Sequence, residues 1–122
     1  MATASHPLTP DIIQGPSANG FRFALVVSEW NSTVTEALLN GALETLLTLG
    51  ATVDHIHRIH VPGSFELPLG AKWMAEKHQP DAVICLGCVI QGETRHFDFI
   101  CDATAQGIMR LNLDLNIPVI FG

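Results

Sequence analysis

Residues 81–98 read DAVICLGCVIQGETRHFD, and this stretch decides the fold. The apolar run at 81–87 is typical of a strand buried on both faces, as in a parallel sheet. A polar loop containing glycine follows at 88–95, and a helical pattern then extends from about residue 96 to 115. The stretch therefore predicts a buried strand followed by a loop and a helix, which is the repeating unit of α/β proteins.

The rest of the sequence repeats this order. Strands are predicted at 21–28, 51–61 and 118–121, the second of them nearer the sheet edge, and helices at about 33–50 and 65–78. The first helix is predicted to begin with a capping box between Thr33 and Glu36, and the second tolerates Pro68 in its first turn. The apolar positions of the first helix are Val34, Ala37, Leu38, Gly41, Ala42, Thr45 and Leu46. The order β-α-β-α-β-α-β predicts a three-layer α/β/α sandwich, with helices on both faces of a four-stranded parallel sheet.

The chain has the size of one domain. We expect residues 1–122 to form it, with 1–20 as an irregular arm that includes a short extended piece at 11–14. No helix follows the last strand in this sequence, so we expect the cover of that strand to come from another chain or from a longer polypeptide. Hydrophobic residues make up 48% and charged residues 15% of the chain, which favours self-association.

Charge and composition exclude several classes of function. The formal net charge is −6 without a basic cluster, so nucleic acid is a poor partner. The sequence shows neither a signal peptide nor an apolar run long enough to span a bilayer, so we expect a soluble cytoplasmic protein that binds no membrane. The three cysteines stand in apolar surroundings and are expected to be reduced thiols.

Polar and aromatic residues follow the strands of the predicted sheet. Ligands of parallel sheets bind at the carboxyl ends of the strands. Here those ends carry residues 29–31, 63–66, 88–96 and 121–122. We therefore expect four segments that are distant in sequence to meet at one edge of the sheet.

Residues 92–96, GETRH, are the most informative of these segments. Glycine, a hydroxyl and a cation just before a helix can bind an anion such as phosphate through free N–H groups and the helix dipole. The alternative is that Thr94 only caps the helix. An imidazole moves protons near neutral pH, so His96 is a candidate acid or base, although a single histidine is more often structural.

The other segments fit a heterocycle and a polyol. Trp30 can stack on a planar ring whose edge bonds to the amide of Asn31, although tryptophan more commonly serves in packing. Ser64 and Glu66 offer a hydroxyl and a carboxylate to a polyol, or are ordinary residues of a helix start.

Two further patterns carry little chemistry. His55, His57 and His60 imitate a metal site, but on a strand the first two share a face that the third does not. Cys85 and Cys88 have CxxC spacing without a second pair, and the first belongs to a buried strand. Neither GxGxxG nor GxxxxGK[ST] is present, which disfavours dinucleotides and nucleoside triphosphates. We therefore expect no metal site.

Taken together, four stretches closely resemble the 6,7-dimethyl-8-ribityllumazine synthase family of riboflavin biosynthesis. They read SEWN at 28–31, VPGSFELP at 61–68, LGCVIQGETRHFD at 86–98 and PVIFG at 118–122. The resemblance implies a flavodoxin-like fold and a transferase. This enzyme condenses 5-amino-6-(D-ribitylamino)uracil with 3,4-dihydroxy-2-butanone 4-phosphate, releases phosphate and water, and needs no metal or organic cofactor.

The resemblance also assigns roles to residues. Trp30, where the family often has phenylalanine, would stack on the pyrimidine, and His96 would be the acid and base. The polar edge of the ring would be bound by Asn31 and by the backbone of Cys88, Val89 and Ile90. The ribityl chain would be bound by Ser64, Phe65 and Glu66. The ketone phosphate would be bound by Glu93 and Thr94. Phe121 would close the ring pocket of an adjacent subunit.

The family assembles as pentamers, some of which pair into decamers or close into icosahedral shells, so a homo-oligomer built on pentamers is expected. Riboflavin synthase is a further expected partner. Family members continue past the last strand with covering helices and an arginine that contacts phosphate, and these are missing from this sequence. Two alternatives remain open: a flavin or lumazine carrier on the same scaffold, and a purely structural shell subunit.

Overall fold

The computed structural model describes residues 15–122, so the extended piece expected at 11–14 lies outside the described residues. In chain order, the strands are β1 (Phe23–Ser28), β2 (Ile56–Val61), β3 (Ala82–Leu86) and β4 (Val119–Phe121). The α-helices are α1 (Ser32–Thr48), α2 (Leu67–His78) and α3 (His96–Leu115), and short 3₁₀ turns lie at Val53–His55 and Ser64–Glu66. The predicted alternation of strands and helices is confirmed.

The four strands form one parallel sheet in the order β2-β1-β3-β4. From β1 the chain first adds β2 on one side and then crosses back to add β3 on the other. This reversal opens a crevice beyond the carboxyl ends of β1 and β3, which is where ligands bind in open α/β sheets. The topology thus selects one edge of the sheet for the site.

Helices cover both faces of the sheet. Alternate residues of β1 point to opposite faces. Ala24 and Val26 pack with α2 and α3, whereas Leu25 and Val27 pack with α1. All four are fully buried. The predicted three-layer sandwich with a doubly covered central strand is therefore confirmed. Within residues 15–122, no helix combines the length and apolar composition needed to cross a bilayer.

The start of α1 differs from the prediction. Asn31 is its N-cap residue, in the left-handed conformation (φ 63°), and no side chain caps the helix. The Asn31 carbonyl accepts the N–H groups of Val34 and Thr35. The capping box predicted between Thr33 and Glu36 is wrong, because the Glu36 carboxylate instead lies 2.9 Å from Nε2 of His60 on β2.

The buried face of α1 differs from the predicted one in the first half of the helix. Thr35 and Leu39 face the sheet there, whereas Val34 and Leu38 are 42% and 36% exposed. Leu46, which was predicted, is buried further along the helix. Apolar side chains occur almost all round this helix, so two neighbouring stripes satisfy a helical period equally well. The turn at Asn31 sets how the helix is rotated when it meets the sheet, and a periodicity argument does not include that rotation.

Candidate functional site

A cavity of about 580 Å³ opens beyond the carboxyl ends of β1, β2 and β3. Its lining comes from three of the four predicted segments and from α3: Trp30, Gly63, Ser64, Phe65, Glu66, Cys88, Val89, Ile90, His96 and Ile100. Eight of the predicted site residues are in this set. Three of the four segments expected to meet therefore do so within a single chain, whereas residues 121–122 do not line the cavity.

Trp30 forms the wall that follows β1. The chain after β1 stays paired with the chain after β2, since the N–H groups of Glu29 and Trp30 donate to the carbonyls of Val61 and Pro62 at 2.8 and 3.1 Å. This pairing holds the backbone while the indole remains 55% exposed. A large apolar ring is therefore presented at the cavity mouth, where it can stack on a planar ligand.

Asn31 lies behind this wall rather than in the lining. Its side-chain Nδ2 donates to Sγ of Cys88 at 3.4 Å. The contact joins the segment after β1 to the segment after β3. It also directs the amide N–H towards the sulfur, so the amide orientation depends on the thiol.

Ser64, Phe65 and Glu66 form the wall that follows β2. The Glu66 carboxylate accepts the Gly63 N–H at 2.9 Å, and the Ser64 hydroxyl donates to the Cys88 carbonyl at 3.3 Å. Of these contacts, the one from Glu66 agrees with the alternative of a helix-start residue, whereas the one from Ser64 reaches across to the segment after β3. They also hold both side chains in place beside the cavity, while Phe65 remains 59% exposed.

The wall that follows β3 begins at Gly87, where only glycine fits. A Cβ at this position would lie 2.6 Å from Oγ of Ser64 and 2.8 Å from Cδ1 of Leu67. The backbone of Cys88, Val89 and Ile90 continues from this close approach along the cavity. Peptide N–H and C=O groups there can recognise the polar edge of a heterocycle.

His96 is the first residue of α3, and its side chain is exposed to the cavity. Its N–H lies 3.4 Å from the Thr94 hydroxyl, a long contact at the start of the helix. The Arg95 guanidinium lies over the Phe99 ring, 5.5 Å from its centroid. Thr94 therefore contacts the helix start without capping it, because Arg95 is the N-cap residue and no side chain caps α3. His96 itself lines the cavity.

Four predicted site residues lie outside the cavity of this chain: Asn31, Glu93, Thr94 and Phe121. Phe121 is 46% exposed on β4. Gly63 lines the cavity as part of the predicted segment 63–66, although no role was assigned to it, and Ile100 lines it without having been predicted. Ile100 stands four residues after His96 on the same helix face, and this spacing is the signal that would have identified it.

The histidines of β2 make contacts elsewhere. The ring of His57 stacks on His78 of α2, with centroids 3.8 Å apart and planes within 8°. Partial burial lowers the pKa of His78, and His57, Lys77 and Arg22 lower it further. His60 pairs with Glu36. His78 was not identified from the sequence, because its partner lies on a different element.

The two cysteines of the CxxC spacing have different surroundings. Cys85 is fully buried in β3, and burial raises the pKa of its thiol to about 12. Cys88 lines the cavity and bonds to Asn31. All three cysteines are free thiols.

Comparison with known proteins identifies similar chains. A family model described as 6,7-dimethyl-8-ribityllumazine synthase matches residues 20–122. The protein of that name from Cytophaga hutchinsonii is 53% identical over the whole chain, which covers 77% of that protein. The one from Porphyromonas gingivalis is 48% identical over the whole chain, which covers 76% of it. The one from Flavobacterium johnsoniae is 56% identical over 87% of the chain, which covers 56% of that protein.

Proposed function

The chain belongs to the 6,7-dimethyl-8-ribityllumazine synthase family, and on this basis we propose that the cavity beyond β1, β2 and β3 is its active site. The enzyme is a transferase of riboflavin biosynthesis. It condenses 5-amino-6-(D-ribitylamino)uracil with 3,4-dihydroxy-2-butanone 4-phosphate. The observation that carries the site proposal is that Trp30 and His96, 66 positions apart in the sequence, line one cavity.

The pyrimidine would lie against Trp30. The exposed indole supplies an apolar face, and the backbone of residues 88–90 supplies donors and acceptors for the polar edge of the ring. Asn31, which lies behind the wall formed by Trp30, would bind the polar edge of the ring through its amide, and the bond to Cys88 orients that amide. Burying one face of a planar ring against tryptophan accounts for affinity, and the polar edge accounts for orientation.

The ribityl chain would lie along Ser64, Phe65 and Glu66. Ser64 and Glu66 already bond to backbone groups, so they are held in place before substrate arrives. A hydroxyl keeps acceptor capacity after donating once, and an ionised carboxylate accepts several hydrogen bonds. Both can therefore receive substrate hydroxyls without giving up their present partners.

The phosphorylated ketone would lie between the ring and the start of α3. Glu93 and Thr94 would hold it there, where free N–H groups and the helix dipole favour an anion. Attack of the ring amine on the ketone gives an imine, and phosphate elimination and ring closure follow. Each step moves protons and needs no covalent enzyme nucleophile, so His96 acts as acid and base.

Much of the rate would come from holding the two reactants side by side. Such positioning converts an encounter between two molecules into a reaction within one complex. A shaped cavity with few reactive side chains is what this mode of catalysis requires. Loss of His96 is therefore expected to slow the reaction without abolishing it.

Assembly as a homo-oligomer built on pentamers is part of the proposal. Met109 and Leu113 are 63% and 77% exposed and lie side by side on α3, and Trp73 is 56% exposed, so this apolar surface fits burial against other copies. Phe121, outside the cavity of its own chain, would close the ring pocket of a neighbour. A cytoplasmic location fits the three free thiols.

Turnover of both substrates, followed by lumazine absorbance and fluorescence, tests the proposal. We expect His96→Gln to lower kcat by about 100-fold, within the range for loss of one acid or base. His60→Gln is the matched control, since His60 is also exposed but pairs with Glu36 away from the cavity. Equal rates for His96→Gln and the wild type would refute the assignment.

A flavin or lumazine carrier is the second candidate, because the half-exposed Trp30 at the cavity mouth would hold such rings without turnover. Riboflavin titration followed by quenching of tryptophan fluorescence tests it. Tight riboflavin binding by a wild-type protein that forms no lumazine would favour the carrier over the enzyme.

A further inference from the structure

We propose that Thr104, which lies on α3 outside the cavity lining, is a positioning residue. It sets the position of His96 relative to the cavity walls that follow β2 and β3. The inference rests on the proposed function of the cavity. It concerns how the two walls after β2 and β3 are tied to the helix that carries the imidazole.

The contact that carries the inference joins α3 to the wall after β2. The Thr104 hydroxyl donates to the Ser64 carbonyl at 3.2 Å. Thr104 is 1% and Ser64 5% exposed, so water does not compete for this bond. Thr104 lies eight residues after His96 in the same helix, a separation of about 12 Å along the axis. A rigid helix transmits the position of one residue to the other.

Ser64 in turn connects to the third wall. Its hydroxyl donates to the Cys88 carbonyl at 3.3 Å, and its own carbonyl accepts the Leu67 N–H as well as the Thr104 hydroxyl. One residue therefore bonds to α3, to the start of α2 and to the segment after β3. Any shift of Ser64 against α3 changes the shape of the cavity between them.

The packing next to this bond is close but not directional. Gly107, one turn further along α3, lies against Pro68, since a Cβ there would be 2.7 Å from Cγ of that proline. Ile108 and Leu111 share an apolar cluster with Leu67 and Ala71. Apolar contacts restrain the helix against α2 but have no preferred angle, whereas a hydrogen bond has a preferred angle and length. The hydroxyl of Thr104 is the directional element of this contact.

A second buried threonine shows what a merely space-filling role looks like. Thr35 on α1 is fully buried, and its hydroxyl has no hydrogen-bond partner. It lies on the opposite side of the sheet from Thr104. Thr35→Val removes a hydroxyl from an equally buried helical position without removing a hydrogen bond, so this variant serves as the matched control.

Three variants test the inference through steady-state kinetics with both substrates. We expect Thr104→Val to lower kcat at least about tenfold, because misplacement of a catalytic group by a fraction of an ångström to 1 Å has effects up to about 100-fold. The KM for the ribitylaminouracil should change less than about threefold, since Trp30 and the bonds that hold the Ser64 and Glu66 side chains are retained. Thr104→Ser keeps the donor and should restore kcat to within about twofold, and Thr35→Val should match the wild type.

Crystal structures of the wild type and of Thr104→Val supply a readout that does not depend on turnover. The Cα of His96 is expected to move by about 0.5 Å or more relative to Ser64, which exceeds the tolerance of a preorganised site. A Thr104→Val variant with wild-type kcat and an unmoved His96 overturns the inference. So does a Thr35→Val variant that loses as much activity. Absence of turnover in the wild type would instead count against the proposed function, and the crystal structures would still decide the role of Thr104.

Discussion

Replacing Gly87 by alanine tests how closely the sheet and the cavity walls approach each other. The new Cβ would lie 2.6 Å from Oγ of Ser64 and 2.8 Å from Cδ1 of Leu67, where ordinary contacts begin at 3.4 Å. The overlaps are therefore 0.8 and 0.6 Å. Neither neighbour can turn out to solvent, because Ser64 is 5% and Leu67 0% exposed. The extra methyl has to be accommodated by moving the wall after β2.

The size of the effect follows from this overlap. Adding a methyl group to a well-packed interior costs about 1–3 kcal/mol, so we expect the free energy of unfolding to fall by that amount. Displacing Ser64 also disturbs its bond to the Cys88 carbonyl. We expect kcat/KM to fall by about 10- to 100-fold, as for other misplacements near reacting groups.

Urea unfolding followed by tryptophan fluorescence, at one protein concentration for all variants, measures the first quantity, and lumazine formation measures the second. Gly41→Ala is the control. Gly41 lies inside α1 with no atom within 4 Å of an added Cβ, so alanine should stabilise by about 0.5–1 kcal/mol through helix propensity. A Gly87→Ala variant with wild-type stability and activity would show that the close approach of Gly87 to Ser64 and Leu67 does not constrain the site.

Two further predictions concern titratable groups. The pKa of His78 is lowered from its usual 6.5 by partial burial, His57, Lys77 and Arg22, so the unfolded chain binds more protons and stability should fall as the pH drops through 6.5. His78→Gln should make this dependence shallower in urea unfolding between pH 8 and 5, and identical slopes would contradict the prediction. Cys88 should react with iodoacetamide before Cys85, whose buried thiol has its pKa raised to about 12; peptide mass spectrometry after brief labelling measures both sites, and equal labelling would refute the difference.

Patterns within a single continuous segment of the sequence predicted the main strands and helices well. Apolar runs predicted β1 and β3, and a helical pattern predicted α3. These predictions agree with the structure because each segment is long and bounded by turn residues. Boundaries were less accurate where local contacts decide them. The strand predicted at 51–61 begins at Ile56, after a 3₁₀ turn. In the first half of α1 the buried residues are Thr35 and Leu39 instead of the predicted Val34 and Leu38, whereas Leu46 is buried as predicted.

The candidate site was predictable to the level of which segments meet. Strand order places residues 29–31, 63–66 and 88–96 at one edge, and most of the lining comes from them. The sequence did not predict that Glu93, Thr94 and Phe121 lie outside the cavity lining, because this depends on how far the backbone turns after each strand.

The sequence by itself determined the alternation of strands and helices, the burial of the central strands and the grouping of polar residues at the carboxyl edge. These depend on residue type and spacing along a continuous segment. Only the tertiary structure decided which stripe of α1 is buried, that Thr104 bonds to Ser64, and that His57 stacks on His78. Such contacts depend on the rotation and offset of elements that are distant in sequence. Rotating a helix by the angle of one residue, about 100°, gives its side chains different tertiary partners, although the spacing of apolar residues along the helix is unchanged.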